Sequence, residues 1–169
     1  MKMEAVMKNR KAGKQMKKSD TKKNNTGGAK KIAAVRIRGG IKLSQRLLDT
    51  LNNLRLYRKN YCSVYENTDS NAGMLRKVKD YVTWGEIDEA VLNELLTRRG
   101  EEFRGREFDR KKKIRKNFIS FGGKRLKAYF RLSPPRGGFE RKGIKNSFRR
   151  GGALGYRKEK INELIRKML

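Results

Sequence analysis

The stretch Ile-Ala-Ala-Val-Arg-Ile-Arg, residues 32–38, places apolar side chains at every second position. That period is the period of a β-strand. One side of the predicted strand is entirely apolar and faces the core: Ala33, Val35 and Ile37. The other side carries Ala34, Arg36 and Arg38, so the pattern predicts a half-buried strand with two arginines on its open face.

The residues that follow predict two more strands and three helices. Ser44 is a good N-cap for a helix whose leucines recur at helical spacing: Leu47, Leu48, Leu51 and Leu54. We predict strands at 60–65 and 81–84, a helix at 72–80 between them, and a further helix at 88–100. The order strand, helix, strand, helix, strand predicts an α+β domain in which a small sheet has both helices on one face.

The second predicted strand carries two tyrosines on one side. We expect Tyr61 and Tyr65 to face away from the core, whereas Cys62 and Val64 face it. Outward tyrosines on a sheet can stack on nucleic-acid bases. More often such tyrosines only cover the sheet, and the sequence favours that interpretation without excluding the other.

The segment 129–169 begins as a strand and becomes a basic loop. The strand-like run that leads into it alternates from 126 onward, with one apolar side that is expected to face inward: Leu126, Ala128, Phe130 and Leu132. The prolines at 134–135 cannot donate to a strand ladder and therefore end the strand. Arg136 lies between them and the glycines at 137–138, so the loop is predicted to hold one cation where a bulky partner can approach bare backbone. The next residues are strongly basic, with only Glu140 to oppose them: Arg141, Lys142, Lys145, Arg149 and Arg150. A final amphipathic helix follows, with the apolar stripe Ile161, Leu164, Ile165 and Met168.

Two other segments are basic and lack a clear pattern. Residues 1–31 contain eleven Lys and Arg against Glu4 and Asp20. We expect a disordered arm that orders on RNA, although a solvated solubility tail is the alternative. Residues 101–128 are expected to be a basic insertion that a partner orders, and a helix at 110–118 is one form it could take. The predicted division of the chain is thus a tail at 1–31, a core at 32–100, the insertion at 101–128, and a C-terminal strand, loop and helix at 129–169.

The composition restricts the function. The 169 residues include 46 Lys and Arg against 17 Asp and Glu, a formal net charge of +29, and nucleic acid is the obvious partner for such a chain. The absence of histidine and the single cysteine remove the usual general base, a disulfide and a cysteine-based zinc site. We therefore expect no catalytic residues, no metal, no cofactor and no small-molecule substrate. No apolar run is long enough for a membrane span. An anionic membrane surface is the other candidate partner, but the most basic stretches lack the long amphipathic helix that it would need, so we expect no membrane partner.

Several blocks in this order resemble one protein family, the large-subunit ribosomal proteins called L-thirty in archaea and bacteria and L-seven in eukaryotes. The most specific blocks are Phe-Arg-Leu at 130–132 with Pro-Pro-Arg-Gly-Gly-Phe at 134–139, and Gly-Gly-Ala-Leu-Gly-Tyr-Arg at 151–157. Further matches lie at 34–39, 49–51, 54–56, 73–75, 79–86, 98–100 and 161–165. The C-terminal blocks are archaeal in type. Ser133 departs from the archaeal pattern, which usually has histidine there.

The resemblance implies a ferredoxin-like sheet of about three strands with helices on one face, a basic N-terminal tail and a C-terminal extension. It also implies a structural, non-catalytic protein of the large ribosomal subunit, bound in the cytoplasm to ribosomal RNA and to neighbouring ribosomal proteins. The alternative is a nucleic-acid-compacting or chaperone protein outside the ribosome. We expect the RNA contacts to come from basic side chains and loop glycines: Arg36, Arg38, Lys42, Arg46, Lys77, Arg131, Arg136, Gly137, Gly138, Arg141, Lys145, Arg149 and Arg150.

Overall fold

The computed structural model describes residues 31–105 and 118–169. The predicted tail, apart from Lys31, and nearly all of the possible helix at 110–118 lie outside the described residues. The strands are β1 Lys31–Arg36, β2 Tyr61–Glu66, β3 Val82–Glu86, β4 Phe118–Phe121, β5 Lys124–Lys127, β6 Phe130–Arg131 and β7 Gly155–Tyr156. The helices are α1 Gln45–Asn53, α2 Asp69–Lys77, α3 Glu89–Arg99 and α4 Ile161–Met168. The strands and helices predicted within residues 32–100 are therefore present, and the α+β class is confirmed.

The main sheet has five strands in the order β6-β2-β1-β3-β7. Strand β1 lies between β2 and β3 and is antiparallel to both. Strands β2 and β3 are joined by α2, which makes a split β-α-β unit of the ferredoxin-like kind. The sheet is larger than the expected three strands because two short C-terminal strands extend it: β6 pairs with β2, and β7 runs parallel to β3.

Both faces of β1 are buried, so the predicted open face was wrong. Ala33 and Val35 pack against α3 and α4 in one apolar cluster. Ile32 and Ala34 pack against α1 and α2 in another. Helices α1 and α2 thus share one face, as predicted, but it is the face of β1 that was predicted to be open. Helices α3 and α4 cover the predicted core face.

The outward tyrosines of β2 cover the sheet. Tyr61 and Tyr65 pack against the cluster formed with α1 and α2, and the Tyr65 hydroxyl donates to the Leu54 carbonyl. Cys62 is fully buried in the opposite cluster, where burial raises the pKa of its thiol to about 12. At these two tyrosines the sheet-covering interpretation is confirmed.

The described part of the insertion is a β-hairpin. Strands β4 and β5 pair antiparallel through a turn at Gly122 and Gly123, whose φ angles of 56° and 76° suit glycine. The amide of Phe103 donates to the Arg125 carbonyl at 2.8 Å, which ties the hairpin to the end of α3. The strand predicted from 126 onward is divided into β5 and β6, but its inward residues are all buried as predicted: Leu126, Ala128, Phe130 and Leu132.

The C-terminal segment approaches β3 so closely that Gly85 has no room for a side chain. A Cβ there would collide with the Lys158 carbonyl oxygen and lie 3.2 Å from Cβ of Ile161. Gly73, inside α2, has nothing within 4 Å of such an atom.

Gly85→Ala should therefore lower the free energy of unfolding by roughly 1–3 kcal/mol, whereas Gly73→Ala should raise it by roughly 0.5–1 kcal/mol. Urea unfolding of the two variants checks this, and changes of the same sign would contradict the packing of the C-terminal segment on β3.

Candidate nucleic-acid interface

The loops that carry the predicted RNA contacts meet at one end of the main sheet. Strand β1 ends where β2 and β3 begin, because both are antiparallel to it. Strand β6 ends there too, since the Leu132 amide donates to the Asn60 carbonyl at 3.1 Å. The segment before β7 arrives at the same end because β7 is parallel to β3. We call this end of the sheet, with the loops that leave it, the basic end.

A small apolar cluster joins the segment before β7 to the sheet. Ala153 and Leu154 are buried against Ile37, the residue that follows β1, with Phe139 and Ile144 packed beside them. Hydrogen bonds fold the segment back on itself: the Leu154 amide donates to the Asn146 carbonyl at 3.1 Å, and the Lys142 amide donates to the Gly151 carbonyl at 3.2 Å. The basic stretch at 141–150 is therefore a packed loop with its charged side chains outside: Arg141, Lys142, Lys145, Arg149 and Arg150 are all exposed.

Arg157 holds this segment in place and is only 3% exposed. Its guanidinium donates to the Thr83 hydroxyl at 2.8 Å, to the Glu140 carboxylate at 2.6 Å and to the Ala153 carbonyl at 3.0 Å. It also lies 4.6 Å from the centre of the Phe148 ring. Burial lowers the pKa of Arg157, and the Glu140 carboxylate opposes that shift.

The sole acid of this segment is already paired with the buried Arg157, although its own side chain stays about 35% exposed. Residues 133–158 contain one carboxylate, Glu140, and eight Lys and Arg. Because Glu140 is engaged by a buried partner, it does little to offset the exposed cations. Sequence reasoning did not select Arg157 or Glu140 as functional, although a lone acid in a basic stretch was the available signal.

The proline–glycine loop is anchored on the end of α4. The amides of Ser133 and Arg136 donate to the carbonyls of Met168 and Lys167, at 3.0 and 3.1 Å. The loop glycines at 137–138 have φ angles of 77° and 83°, and nothing lies within 4 Å of a Cβ at either position. The Arg136 side chain is exposed on this fixed backbone. The geometry agrees with a loop that presents one cation beside an open backbone.

Ser133, where the chain departs from the family pattern, takes part in the same anchor. Its hydroxyl accepts a hydrogen bond from Arg99 at 2.9 Å, and Arg99 also donates to the Leu169 carbonyl at 2.7 Å. Ser133 therefore joins the end of α3 to the end of α4.

The loop after β1 brings further cations to the basic end. Arg38 is half-buried, donates to the Asp80 carbonyl at 3.1 Å and lies 4.9 Å from the centre of the Tyr81 ring. Lys42 and Arg46 are exposed in the loop and at the start of α1, and Lys77 is exposed at the end of α2. Since α2 ends just before β3 begins, Lys77 belongs to the same end as the others.

Arg36 is placed differently from the other predicted contacts. It is 3% exposed, and its guanidinium donates to the carbonyls of Leu56 and Tyr57 at 2.8 Å each and to that of Arg38 at 3.0 Å. Burial lowers its pKa. These bonds fix the backbone that leads from α1 into β2, so Arg36 has a structural role within the basic end.

Arg131 is exposed but already paired. It and Lys127 both donate to the carboxylate of Glu101, Lys127 at 2.8 Å. The hydrogen bond from Arg131, followed by that from Lys127, lowers the pKa of Glu101 to about 2. Arg131 thus shares its charge with a local acid, unlike the cations at 141–150.

An α+β protein with exposed cations gathered at one end of its sheet belongs to the class of polyanion-binding proteins. Within the described ranges, no helix is long and apolar enough to cross a membrane, and no group of acidic, cysteine and histidine side chains could hold a metal ion.

The comparisons with known proteins identify the family. The family model described as ribosomal protein L30p/L7e matches residues 32–82. The chain is 46% identical to large ribosomal subunit protein uL30 of Nanoarchaeum equitans, over 79% of this chain and 95% of that protein. It is 39% identical to uL30 of Methanopyrus kandleri, over 79% of this chain and 100% of that protein, and 40% identical to uL30 of Korarchaeum cryptofilum, over 82% and 94%. The chain therefore belongs to the ribosomal protein L30p/L7e family, and the resemblance noted in its motifs is confirmed.

Removing the buried guanidinium should loosen the C-terminal segment. We expect Arg157→Met to lower the free energy of unfolding by roughly 3 kcal/mol, because it deletes charge-assisted hydrogen bonds and leaves Thr83 and Ala153 without a donor. Limited proteolysis should then cut within residues 139–154 before the rest of the described chain. Arg166→Met, which removes an exposed arginine of α4, is the control and should change little. Equal effects of the two variants would show that Arg157 is not an anchor.

The carboxylate of Glu101 should make stability depend on pH in the acid range. Its pKa lies below the ordinary value of 4.5, so its pairing stabilises the folded protein above that pH, and this contribution is lost as the pH falls towards 2. Glu101→Gln should thus be less stable than the original protein at neutral pH, with the difference closing in acid. Urea unfolding at a series of pH values measures this. The exposed neighbour pair of Glu102 with Arg104 provides a control, since Glu102→Gln should give little difference at any pH.

Proposed function

We propose that the basic end is the surface through which this protein binds large-subunit ribosomal RNA. Membership of the family makes the protein a structural constituent of the large ribosomal subunit and not an enzyme. The observation that carries the proposal is the convergence of separately encoded cations on one end of the sheet: Arg38, Lys42, Arg46, Lys77, Arg136, Arg141, Lys145, Arg149 and Arg150.

Binding at this surface would be dominated by phosphate contacts. Exposed cations on a fixed backbone neutralise phosphates and release counterions, which supplies affinity without reading sequence. The packed loop at 141–150 and the anchored loop at 133–138 hold their cations at defined separations, so they can select a folded RNA by its shape. The Gly138 amide already donates to the Pro135 carbonyl at 3.0 Å, but the open space beside Gly137 and Gly138 lets a phosphate or a ribose approach the backbone closely.

The predicted contacts differ in how much of their charge is open to RNA. The five predicted cations at 136 and 141–150 form the centre of the proposed surface because the segment's one acid faces Arg157. Arg131 lies at its margin because Glu101 shares its charge. Arg36 is left out because its donors bind backbone carbonyls inside the protein.

The proposed site of action is the ribosome in the cytoplasm. Other large-subunit proteins are the proposed protein neighbours, because a structural constituent of a ribonucleoprotein particle is surrounded by RNA and by other proteins.

The test compares cations at the two ends of β1. Arg136→Ala and Arg149→Ala should each weaken binding to purified large-subunit ribosomal RNA roughly three- to tenfold and reduce the log–log salt slope by about 0.7–0.9 for each phosphate that the variant no longer neutralises. Lys31→Ala removes an exposed cation at the opposite end of β1 and should change both quantities less. Filter binding across a salt series measures them.

Two outcomes would contradict the proposal. Equal reductions in affinity from all three variants would mean that binding depends on overall charge and not on the basic end. Sedimentation of a cell extract gives the second test, in which the protein should travel with large subunits. A chain that stays in the free pool and binds duplex DNA as well as ribosomal RNA would instead be a nucleic-acid-compacting protein.

A further inference from the structure

A cleft beside the basic end is lined only by aromatic and cationic side chains. It has a volume of about 160 Å³ and lies between the α1–β2 connection, the start of the insertion and the residues around β5. Its lining consists of Arg55, Tyr57, Phe103, Lys127 and Tyr129. No carboxylate is among them.

The tyrosines of this cleft form a corner. Tyr129 stacks on Tyr61 with their ring centres 5.3 Å apart and their planes 9° from parallel. Tyr57 stands across this pair, 5.5 Å from Tyr129 at an interplanar angle of 88°. The stacked pair is partly covered, but Tyr57 is 46% exposed. The outer part of its ring is therefore open to a planar group that enters the cleft.

Cations surround the same corner. The Lys127 ammonium lies 5.9 Å from the centre of the Tyr129 ring and, like Arg131, shares its charge with Glu101 through a hydrogen bond. Arg55 lines the cleft, and the exposed Arg58 and Lys59 follow Tyr57 directly in the chain. A ligand with a flat aromatic part and an attached negative charge matches both features at once.

We propose that this cleft, the tyrosine corner, binds one unpaired nucleotide of an RNA by stacking its base on Tyr57 while neighbouring cations contact its phosphate. Stacking on aromatic side chains is the usual way in which proteins hold bases that are not paired. The inference rests on the proposed function, because the tyrosine corner adjoins the basic end through β6 and the carbonyl of Tyr57 accepts a hydrogen bond from Arg36. It adds a specific requirement, an unpaired base, to a surface that otherwise recognises phosphates.

The tyrosine corner is rigid because hydrogen bonds fix the backbone on which its rings are carried. Tyr61 is fixed by β2, and the Ser63 hydroxyl donates to the Ala128 carbonyl at 2.7 Å, next to Tyr129. The backbone of Tyr57 is fixed by Arg36 at 2.8 Å. A base that enters the corner would therefore meet rings that are already placed, and it would not have to order them.

The test uses single-stranded oligouridylate and a duplex RNA of the same length as probes, with the full chain. Tyr57→Ala should weaken binding of the single strand roughly five- to hundredfold, which is the range expected for losing one stacked base, and should leave duplex binding unchanged. Tyr57→Phe should keep single-strand binding because the ring is retained. Tyr156→Ala removes another exposed tyrosine, at the β7 edge of the sheet, and should not alter the preference between the two probes.

A second measurement locates the base directly. Oligouridylate in which 5-iodouridine replaces uridine should form a photo-cross-link to Tyr57 or Tyr129, identified by mass spectrometry of the digested protein. Binding of ribosomal RNA and of both probes that is unaffected by Tyr57→Ala, with cross-links elsewhere, would overturn the tyrosine corner and leave the basic end intact. A protein that fails to bind ribosomal RNA at all would overturn the proposed function itself.

Discussion

The buried guanidinium of Arg157 sets the position of the whole C-terminal extension. A charge that is removed from water is tolerated only where each donor finds a partner, and here the partners come from β3, from the turn before the basic loop and from the segment before β7: Thr83, Glu140 and Ala153. The three bonds can form together in one arrangement of the chain. That arrangement holds cations at 141–150 close to one another, although their charges repel, and presents them on one surface.

Arg36 likewise sets the position of the loops around β1. Its three bonds go to backbone carbonyls on both sides of α1, groups that would otherwise need other donors in a buried setting. Two arginines thus stabilise the structure from inside while the exposed arginines supply charge outside. Composition counts all of them equally, and only their burial distinguishes an anchor from a contact.

The sequence predicts elements whose signal is local and misses those decided by remote packing. The strand at 32–38, the leucine helix after Ser44 and the burial of Phe130 follow from periodicity, and the structure has them all. The face of β1 that was predicted to be open is buried because Ile32 and Ala34 on that face pack against α1 and α2. The face that was predicted to be core is covered by α3 and α4, which are encoded more than fifty residues later and could not be predicted from β1. The two-residue strand β7 carries no periodic pattern, and the partners of Arg157 are distant in the chain. The motifs nevertheless identified the family, because their order along the chain is more specific than the geometry of any one of them.

The difference in charge between the two ends of the sheet follows from the strand directions and the helix dipoles together. Helices α2, α3 and α4 run in the same sense relative to the sheet, and each has acids in its first turn and cations in its last: Asp69, Glu89 and Glu163, then Arg76, Lys77, Arg98, Arg99, Arg166 and Lys167. This placement stabilises each helix, because acids favour the N-terminus and cations the C-terminus. Since all three helices end where β1 ends, the residues that stabilise them also add positive charge to the basic end. The opposite end collects acids from the end of β2 and the end of β3, Glu66 and Glu86. Within the described residues, the helix ends and strand ends thus add positive charge to one end of the sheet and negative charge to the other.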